Sequence, residues 1–363
     1  MGDTEGAGFL TLSDAEAAGA AHLSPEVWAY VQGGAGEERS VAANRDAFRR
    51  RTLRPRALVD VGTIDPTTTL LGERVRVPFF VAPMAYHGLI HPEAEDATAR
   101  AAAAAGVLNV VSTLSTRSLE DIARAAPSCP RWFQLYLQPD FAVSRRLVER
   151  AAASGYRAIV LTVDVPVLAT RDRQARGGVA IDEPAPIGNG TDVEAPLREA
   201  TADGDRFTLR AEASETWDVV DRVAAASRLP VVVKGVLSAD DARRAIDHGA
   251  RAVVVSNHGG RQLDGAPAPL DVLAEVVARI GSDAEVYVDG GVRRGSDIVL
   301  ALALGARAVG LGRPILWALA AGGEAGVARL LSLLRQELVS TMAIAGRRTL
   351  AEIDATALGP NRW

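Results

Sequence analysis

A histidine and an arginine stand three residues apart in the string SNHGGRQLD, which begins at Ser256 after the apolar run AVVV. An imidazole can remove a proton near neutral pH, and a guanidinium can bind a carboxylate through two hydrogen bonds. His258 and Arg261 therefore suit a small acid that the arginine binds by its carboxylate while the histidine removes a proton from its Cα or its hydroxyl group. The alternative is a capping histidine beside a solvated arginine, but their position after a strand and among glycines favours a site.

The lysine content of the chain singles out one further residue. Lys234 is the only lysine among 40 basic residues. A GC-rich genome explains the many arginines but does not explain why one lysine is kept. Lysine and arginine are not interchangeable where a compact charge or a tunable pKa is needed. Lys234 also ends the apolar run PVVVK, so it is a candidate site residue.

Further polar side chains stand where other apolar runs end. Asp164 follows AIVLTV and could hold the imidazolium of His258, or cap a loop. Gln134 and Tyr136 alternate in WFQLY and therefore point to the same side of a strand. Because burying such groups without partners is costly, we expect a bound polar ring or ordered water beside them.

Two glycine- and arginine-rich strings predict a phosphate site. DGGVRRG begins at Asp289 and GLGRP begins at Gly310, and each follows an apolar run. Barrel proteins commonly bind phosphate after their last two strands, with backbone N–H groups and a helix N-terminus. The residues alone thus indicate a phosphate-bearing cofactor and a His–Arg pair facing a small anionic substrate.

The elements that must position these residues alternate between apolar runs and helix-like stretches. The predicted strands are 79–82, 107–112, 132–136, 158–163, 230–234, 252–256, 285–289 and 308–311. The predicted helices are 93–105, 118–126, 140–154, 216–227, 238–248, 269–280, 295–304 and 324–342. Eight such units predict an α/β fold, a (β/α)8 TIM barrel. The alternative is an open doubly wound sheet, which lacks support because no strand–GxGxxG–helix opening is present.

We expect a single domain over 1–363, with a helical N-terminal segment at 1–60 and the barrel at 75–345. Caps at Thr11 and Ser24 indicate the first helices. The long loop after strand 4, residues 165–215, is rich in Gly, Pro and charged residues, and such a loop on the catalytic face predicts a lid.

Composition limits the classes of partner. The 363 residues carry a net charge of −5 with 48% hydrophobic residues, which argues against nucleic acid or an anionic membrane as partner. The sequence has no uninterrupted apolar run of 18 or more residues, so we expect no membrane span. The first residues, MGDTEGAGFL, show no secretory signal. One cysteine, Cys129, excludes an internal disulfide and a cysteine-rich metal site. We expect a cytoplasmic protein without a metal.

Several strings together resemble one enzyme family. SNHGGRQLDGAPAPLDVL, VDGGVRRGSDIVLALALGARAVGLGRP, WFQLYL and LTVDVPV resemble the FMN-dependent 2-hydroxy acid oxidase and dehydrogenase family, which includes glycolate oxidase, lactate oxidase and mandelate dehydrogenase. The resemblance runs from about Leu10 to residue 345 and looks closest to bacterial hydroxymandelate oxidases.

The resemblance implies a role for each matching residue. His258 matches the catalytic base and Asp164 its orienting partner. Lys234 matches the lysine beside flavin N1, where a positive charge favours the anionic reduced flavin. The residues that match substrate-binding positions are Tyr30, Tyr136, Arg171 and Arg261, of which Tyr136 lies near the substrate hydroxyl. The remaining matches to FMN contacts are Ala82, Pro83, Met84, Ala85, Ser112, Gln134, Thr162, Ser256, Asp289, Gly291, Arg293, Gly312 and Arg313.

The activity that the resemblance implies is oxidation of an (S)-2-hydroxy acid to a 2-keto acid, with O₂ reduced to H₂O₂. Leu114 stands where glycolate oxidase-like members place a tryptophan, which leaves room for an aryl side chain. Alternatives are an aliphatic acid such as lactate, and an FMN dehydrogenase that passes electrons to another acceptor. An FMN isomerase, an aldolase that uses Lys234 as a Schiff base, and a non-catalytic scaffold are more remote alternatives. Family members are often tetramers, so a homotetramer is expected.

Overall fold

The computed structural model describes residues 8–176, 187–190, 198–202, 205–209 and 215–360. Its N-terminal segment forms the helices α1 (Leu12–His22), α2 (Pro25–Gln32) and α3 (Arg39–Arg49). The predicted caps are confirmed, because Thr11 caps α1 in a capping box with Asp14 and Ser24 caps α2 before Pro25. Gly33, Gly34 and Gly36 separate α2 from α3.

An antiparallel hairpin precedes the barrel, and it was not predicted from the sequence. It consists of β1 (Thr68–Leu70) and β2 (Glu73–Val75). Leu71 and Gly72 form its tight turn with φ of 46° and 86°, and Gly72 has the residue type that this conformation favours. Leu70 and Val75 are buried against the side chains inside the barrel, so the hairpin closes one end of the barrel.

The prediction of a TIM barrel is confirmed. The remaining strands are β3 (Phe79–Val81), β4 (Leu108–Ser112), β5 (Arg131–Leu135), β6 (Ile159–Thr162), β7 (Arg198–Ala202), β8 (Asp205–Leu209), β9 (Val231–Val236), β10 (Ala252–Val255), β11 (Glu285–Asp289) and β12 (Ala308–Leu311). Strands β3, β4, β5, β6, β9, β10, β11 and β12 pair in parallel in that order, and β12 pairs back with β3. Strands β7 and β8 form a separate antiparallel hairpin.

The barrel interior has an apolar floor beneath a polar layer. The floor contains the inward side chains of Val110, Trp132, Val160, Val232 and Tyr287. Inward-pointing residues recur every second position along a strand. Two residues further along the same strands the inward side chains are Ser112, Gln134, Thr162, Lys234 and Asp289, all buried. The polar layer therefore sits at the carboxyl ends of the strands.

Helices cover the outside of the barrel close to the predicted positions. They are α4 (Ala94–Ala105), α5 (Leu119–Ala125), α6 (Phe141–Ala153), α8 (Asp218–Ser227), α9 (Ala239–Asp247), α10 (Pro269–Ile280), α11 (Gly295–Ala303) and α12 (Arg313–Ile344). The short helix α7 (Asp172–Arg176) lies in the loop after β6.

The expected final helix at 324–342 is only the second half of α12, and its start was wrong. Helix α12 begins directly after β12 and is kinked where Gly322 and Gly323 leave helical geometry. The glycine pair Gly322–Gly323 interrupts the helical pattern, so the pattern after it gives no sign that the helix begins at Arg313. By length and composition α12 could cross a membrane, but 61% of its most apolar 18-residue window is buried inside the protein.

The predicted lid, 165–215, lies partly outside the described residues. Its described parts are residues 165–176, which include α7, the segment 187–190, the hairpin β7–β8 and residue 215. Asn189 is buried, accepts a hydrogen bond from the Leu119 N–H and donates to the Thr113 carbonyl. This portion of the loop is thus anchored to the carboxyl end of β4 and the start of α5.

Candidate active site

A cavity of about 440 Å³ opens at the carboxyl ends of the barrel strands. That volume lies within the range of roughly 300–1,000 Å³ found for ligand and cofactor sites. The residues predicted from the sequence that line it are Tyr30, Ala82, Pro83, Met84, Ala85, Ser112, Gln134, Tyr136, Thr162, Arg171, Lys234, His258, Arg261, Asp289, Gly291, Arg293, Gly312 and Arg313. Two more, Asp164 and Ser256, lie behind this wall.

His258 is held in an orientation that suits a base. Its Nδ1 lies 3.0 Å from Asp164 Oδ1, and its Nε2 lies 3.4 Å from the Tyr136 hydroxyl. Because the carboxylate accepts the Nδ1 proton, the lone pair of a neutral imidazole stands on Nε2, toward the cavity. The side chain is 21% exposed, which leaves this nitrogen accessible to a bound molecule.

Burial and charge set the protonation of this pair. Burial lowers the pKa of His258, and although the Asp164 carboxylate opposes this, the pKa stays below its usual value. Burial raises the pKa of Asp164, but its interactions with His258 and with the charged Lys234 outweigh this effect and hold the pKa below its usual value. Near neutral pH the pair is therefore a neutral imidazole beside a carboxylate.

The loop that presents His258 is fixed by a buried amide pair. His258 adopts a left-handed backbone conformation with φ of 58°, which is uncommon for a residue other than glycine. Asn257 and Asn44 exchange two hydrogen bonds of 2.8 Å between their side-chain amides, and both residues are buried. Asn257 also accepts from the Gly260 N–H at 3.0 Å. Helix α3 thereby supports the strained turn.

Lys234 lies in the polar layer between two acceptors. Its Nζ is 3.2 Å from Ser256 Oγ and 3.5 Å from Asp289 Oδ2. Burial lowers the pKa of Lys234, but the carboxylates of Asp289 and Asp164 more than offset this and the pKa is raised. Ser256 also accepts from the His258 N–H at 3.0 Å, so it joins the lysine to the histidine loop.

Arginines gather above the histidine. The Arg261 guanidinium lies 5.2 Å from the centre of the Tyr30 ring and donates to the Tyr30 carbonyl. Arg171 Nε lies 3.4 Å from the Arg261 carbonyl. Burial lowers the pKa of Arg261 to about 10, which still leaves it cationic at neutral pH. These cations can bind the carboxylate of a small acid.

The end of the cavity beside the start of α12 fits a phosphate. Arg293 and Arg313 are partly buried there, each with its pKa lowered to about 10 chiefly by burial. Helix α12 begins at Arg313, so its N-terminus lies beside them. A Cβ added at Gly312 would meet nothing closer than the Met84 sulfur at 4.0 Å, so backbone faces open space. This is the arrangement in which barrels bind phosphate.

The residues present fit FMN along the whole cavity. Asp289 Oδ1 is buried without a hydrogen-bond partner among the described residues, and a ligand hydroxyl would satisfy it. Ser112, Gln134 and Thr162 form a hydrogen-bonded row that a polar ring edge can contact. The lining carries more cations than carboxylates, as required for a phosphate and a substrate carboxylate in one cavity.

Ten lining residues were not in the predicted set of site residues. Among them are Leu114, Tyr86, Leu168 and Gln174, and the first two belong to an apolar cluster with Tyr136 and Val165. Gln174 Oε1 is buried and has no hydrogen-bond partner among the described residues. Leu168, Arg171 and Gln174 recur every three residues, a spacing that could have indicated a shared face around α7.

The fold and site define a barrel enzyme built for a phosphate-bearing cofactor and a small anionic substrate. The profile of the FMN-dependent dehydrogenase family matches residues 19–360. The chain therefore belongs to this family of oxidoreductases, and its cofactor is FMN.

Individual relatives cover nearly the whole chain. An L-lactate oxidase of Nostoc is 47% identical, over 96% of this chain and 98% of its own. A 4-hydroxymandelate oxidase of Amycolatopsis orientalis is 46% identical, over 93% and 95%. A crystal structure of mandelate oxidase has a TM-score of 0.88 at 43% identity, over 98% of this chain and 99% of that one. The family resemblance predicted from the sequence is confirmed.

Proposed function

We propose that this protein oxidises (S)-2-hydroxy acids with an aryl side chain to 2-keto acids and passes the electrons to O₂, forming H₂O₂. The observation that carries the proposal is the contact of His258 Nδ1 with Asp164, which leaves Nε2 facing a cavity that Arg171 and Arg261 also line. A 2-hydroxy acid has a carboxylate for the arginines and, beside it, a hydroxyl proton for the histidine.

The chain's own residues bind the acid and move its proton. Arg261 and Arg171 hold the carboxylate, while Tyr30 and Tyr136 contact the substrate. His258 Nε2 takes the hydroxyl proton, and Asp164 stabilises the resulting imidazolium through the 3.0 Å contact at Nδ1. Bound FMN would supply the acceptor for the Cα hydrogen together with the two electrons of its C–H bond. Tyr30, Ala82–Ala85, Ser112, Gln134, Thr162, Lys234, Asp289, Gly291, Arg293, Gly312 and Arg313 would form the walls for cofactor and substrate.

An apolar wall supports the aryl side chain. Tyr86, Leu114 and Val165 are buried in one cluster, and Leu168 packs against it. Burial of an aromatic ring on such a surface is worth about 1.5–3 kcal/mol, or roughly 10- to 150-fold in kcat/KM over a methyl group. The mandelate oxidase and 4-hydroxymandelate oxidase among the similar proteins support the same substrate class.

A lactate oxidase is the second candidate, because the Nostoc relative with 47% identity carries that name. Measurement of O₂ uptake and H₂O₂ formation with (S)-mandelate, (S)-4-hydroxymandelate, (S)-lactate and glycolate decides between them. We expect kcat/KM for both aryl acids to exceed that for lactate at least tenfold, with (R)-mandelate inactive. A higher value for lactate would make the aliphatic assignment correct, and turnover only with an artificial acceptor would indicate a dehydrogenase. Light scattering tests the homotetramer that the resemblance supports.

A further inference from the structure

The carboxyl end of α2 is held by two partly buried arginines, Arg261 and Arg313. The last carbonyls of a helix have no partner within the helix. Here the Tyr30 carbonyl accepts from Arg261 Nη1 at 2.9 Å, and the Gly33 carbonyl accepts from the same nitrogen at 2.6 Å. Arg313 donates from Nε to the Val31 carbonyl at 3.1 Å and from Nη2 to the Gly33 carbonyl at 3.1 Å. The helix that carries Tyr30 therefore depends on both guanidinium groups.

Arg313 also reaches the loop of the proposed base. Its Nη1 donates to the Gly259 carbonyl at 2.9 Å, one residue after His258. One guanidinium thus connects α2 with the loop after β10 through three backbone carbonyls. Removing a cation from water, even partly, is costly unless it is hydrogen-bonded, so these contacts hold the two segments together.

The same residue begins α12 at the phosphate end of the cavity. We propose that Arg313 is a positioning residue that sets Tyr30 and Arg261 for the substrate, and that occupation of the phosphate end by FMN orders residues 30–36 through it. The assignment to substrate positioning rests on the function proposed above. The coupling to the cofactor does not depend on which acid is oxidised.

Arg293 provides a matched control. It lines the same end of the cavity, is partly buried and has its pKa lowered to about 10, as Arg313 does. Its guanidinium lies 4.7 Å from the centre of the Trp317 ring and donates to the Val292 carbonyl. None of its described hydrogen bonds reaches α2. Substitution of either arginine should therefore weaken FMN binding, whereas only substitution of Arg313 should affect α2.

The experiment compares Arg313→Lys with Arg293→Lys at saturating FMN. Lysine keeps the charge but cannot reproduce the planar fork that reaches three carbonyls. We expect both variants to bind FMN more weakly. Once loaded, Arg313→Lys should keep a KM for (S)-mandelate raised about tenfold over the wild type, with kcat changed less, and this rise in KM should exceed that of Arg293→Lys.

Hydrogen exchange gives a readout that needs no substrate. FMN should slow amide exchange in residues 30–36 of the wild type and Arg293→Lys but not of Arg313→Lys, with α5 as the internal reference. Equal KM and equal exchange in the two loaded variants would overturn the proposal. If Arg313→Lys does not fold, the wild type alone still decides, because unchanged exchange in 30–36 on FMN addition refutes the coupling. Failure of every hydroxy acid as substrate would refute the proposed function and leave this exchange result standing.

Discussion

Replacement of Asp164 by asparagine is the perturbation that bears most directly on the role of His258. In the native site Asp164 Oδ1 is 3.0 Å from His258 Nδ1, and Asp164 Oδ2 is buried without a hydrogen-bond partner among the described residues. An asparagine NH₂ at the Oδ2 position would be buried and unpaired. At the Oδ1 position it would donate to Nδ1 and move the imidazole proton to Nε2. Either arrangement removes the negative charge that stabilises the imidazolium.

The expected loss follows from the kind of bond removed. A hydrogen bond to a charged group contributes about 1.5–3 kcal/mol, which corresponds to roughly 10- to 150-fold in rate. The pKa of His258 should also fall further, because Asp164 is the group that raises it against burial. In the wild type the acid limb of the pH profile of kcat/KM should lie below about pH 6.5, because the usual pKa of histidine is about 6.5. In Asp164→Asn it should move lower still while the maximum falls.

The assay is anaerobic stopped-flow reduction of the bound FMN by (S)-mandelate between pH 5 and 9. Asp221→Asn is a matched control, because Asp221 lies 2.7 Å from His248 Nδ1 in a second aspartate–histidine pair at the protein surface. We expect the control to reduce FMN at the wild-type rate. A wild-type rate in Asp164→Asn, or an acid limb that moves to higher pH, would refute the role assigned to the pair.

Three further substitutions test other parts of the cavity. Lys234→Met should make the reduction potential of bound FMN at least about 30 mV more negative, since 1.4 kcal/mol on a two-electron couple is roughly 30 mV; an unchanged potentiometric titration would contradict the role of this charge. Leu114→Trp should lower kcat/KM for (S)-mandelate about tenfold by overfilling the apolar wall and spare glycolate, whereas Leu114→Met should retain both; equal losses would place the ring elsewhere. Gln174→Leu should lower the ratio of kcat/KM for (S)-4-hydroxymandelate over (S)-mandelate about tenfold, because a phenol can pair with the buried amide; an unchanged ratio would exclude that contact.

The barrel could be predicted because its strands obey a simple physical rule. Inward side chains recur every two residues, so Val232 in the floor predicts Lys234 in the polar layer, and Trp132 predicts Gln134. Continuous apolar runs between helix-like stretches then give the strand order, and capping residues give the helix starts. These signals are local in sequence, and the residues placed at strand ends accordingly meet in one cavity.

The parts that were missed depend on contacts between distant segments. Asn44 and Asn257 are separated by 213 positions, and no local pattern indicates that their amides pair. Arg313 was expected only at the phosphate end, and its bond to Val31 spans 282 positions. The hairpin β1–β2 has strands of three residues, too short for periodicity to reveal. The lid over 165–215 remains a prediction where it falls outside the described residues.

The central claim is tested most directly by the visible spectrum of the FMN-loaded protein during anaerobic addition of (S)-mandelate and subsequent exposure to air. We predict that the flavin absorbance bleaches, and that it returns rapidly in air with one H₂O₂ formed for each benzoylformate. A loaded protein that does not bleach with (S)-mandelate but bleaches with (S)-lactate would contradict the aryl assignment. Bleaching without rapid recovery in air would contradict the oxidase assignment.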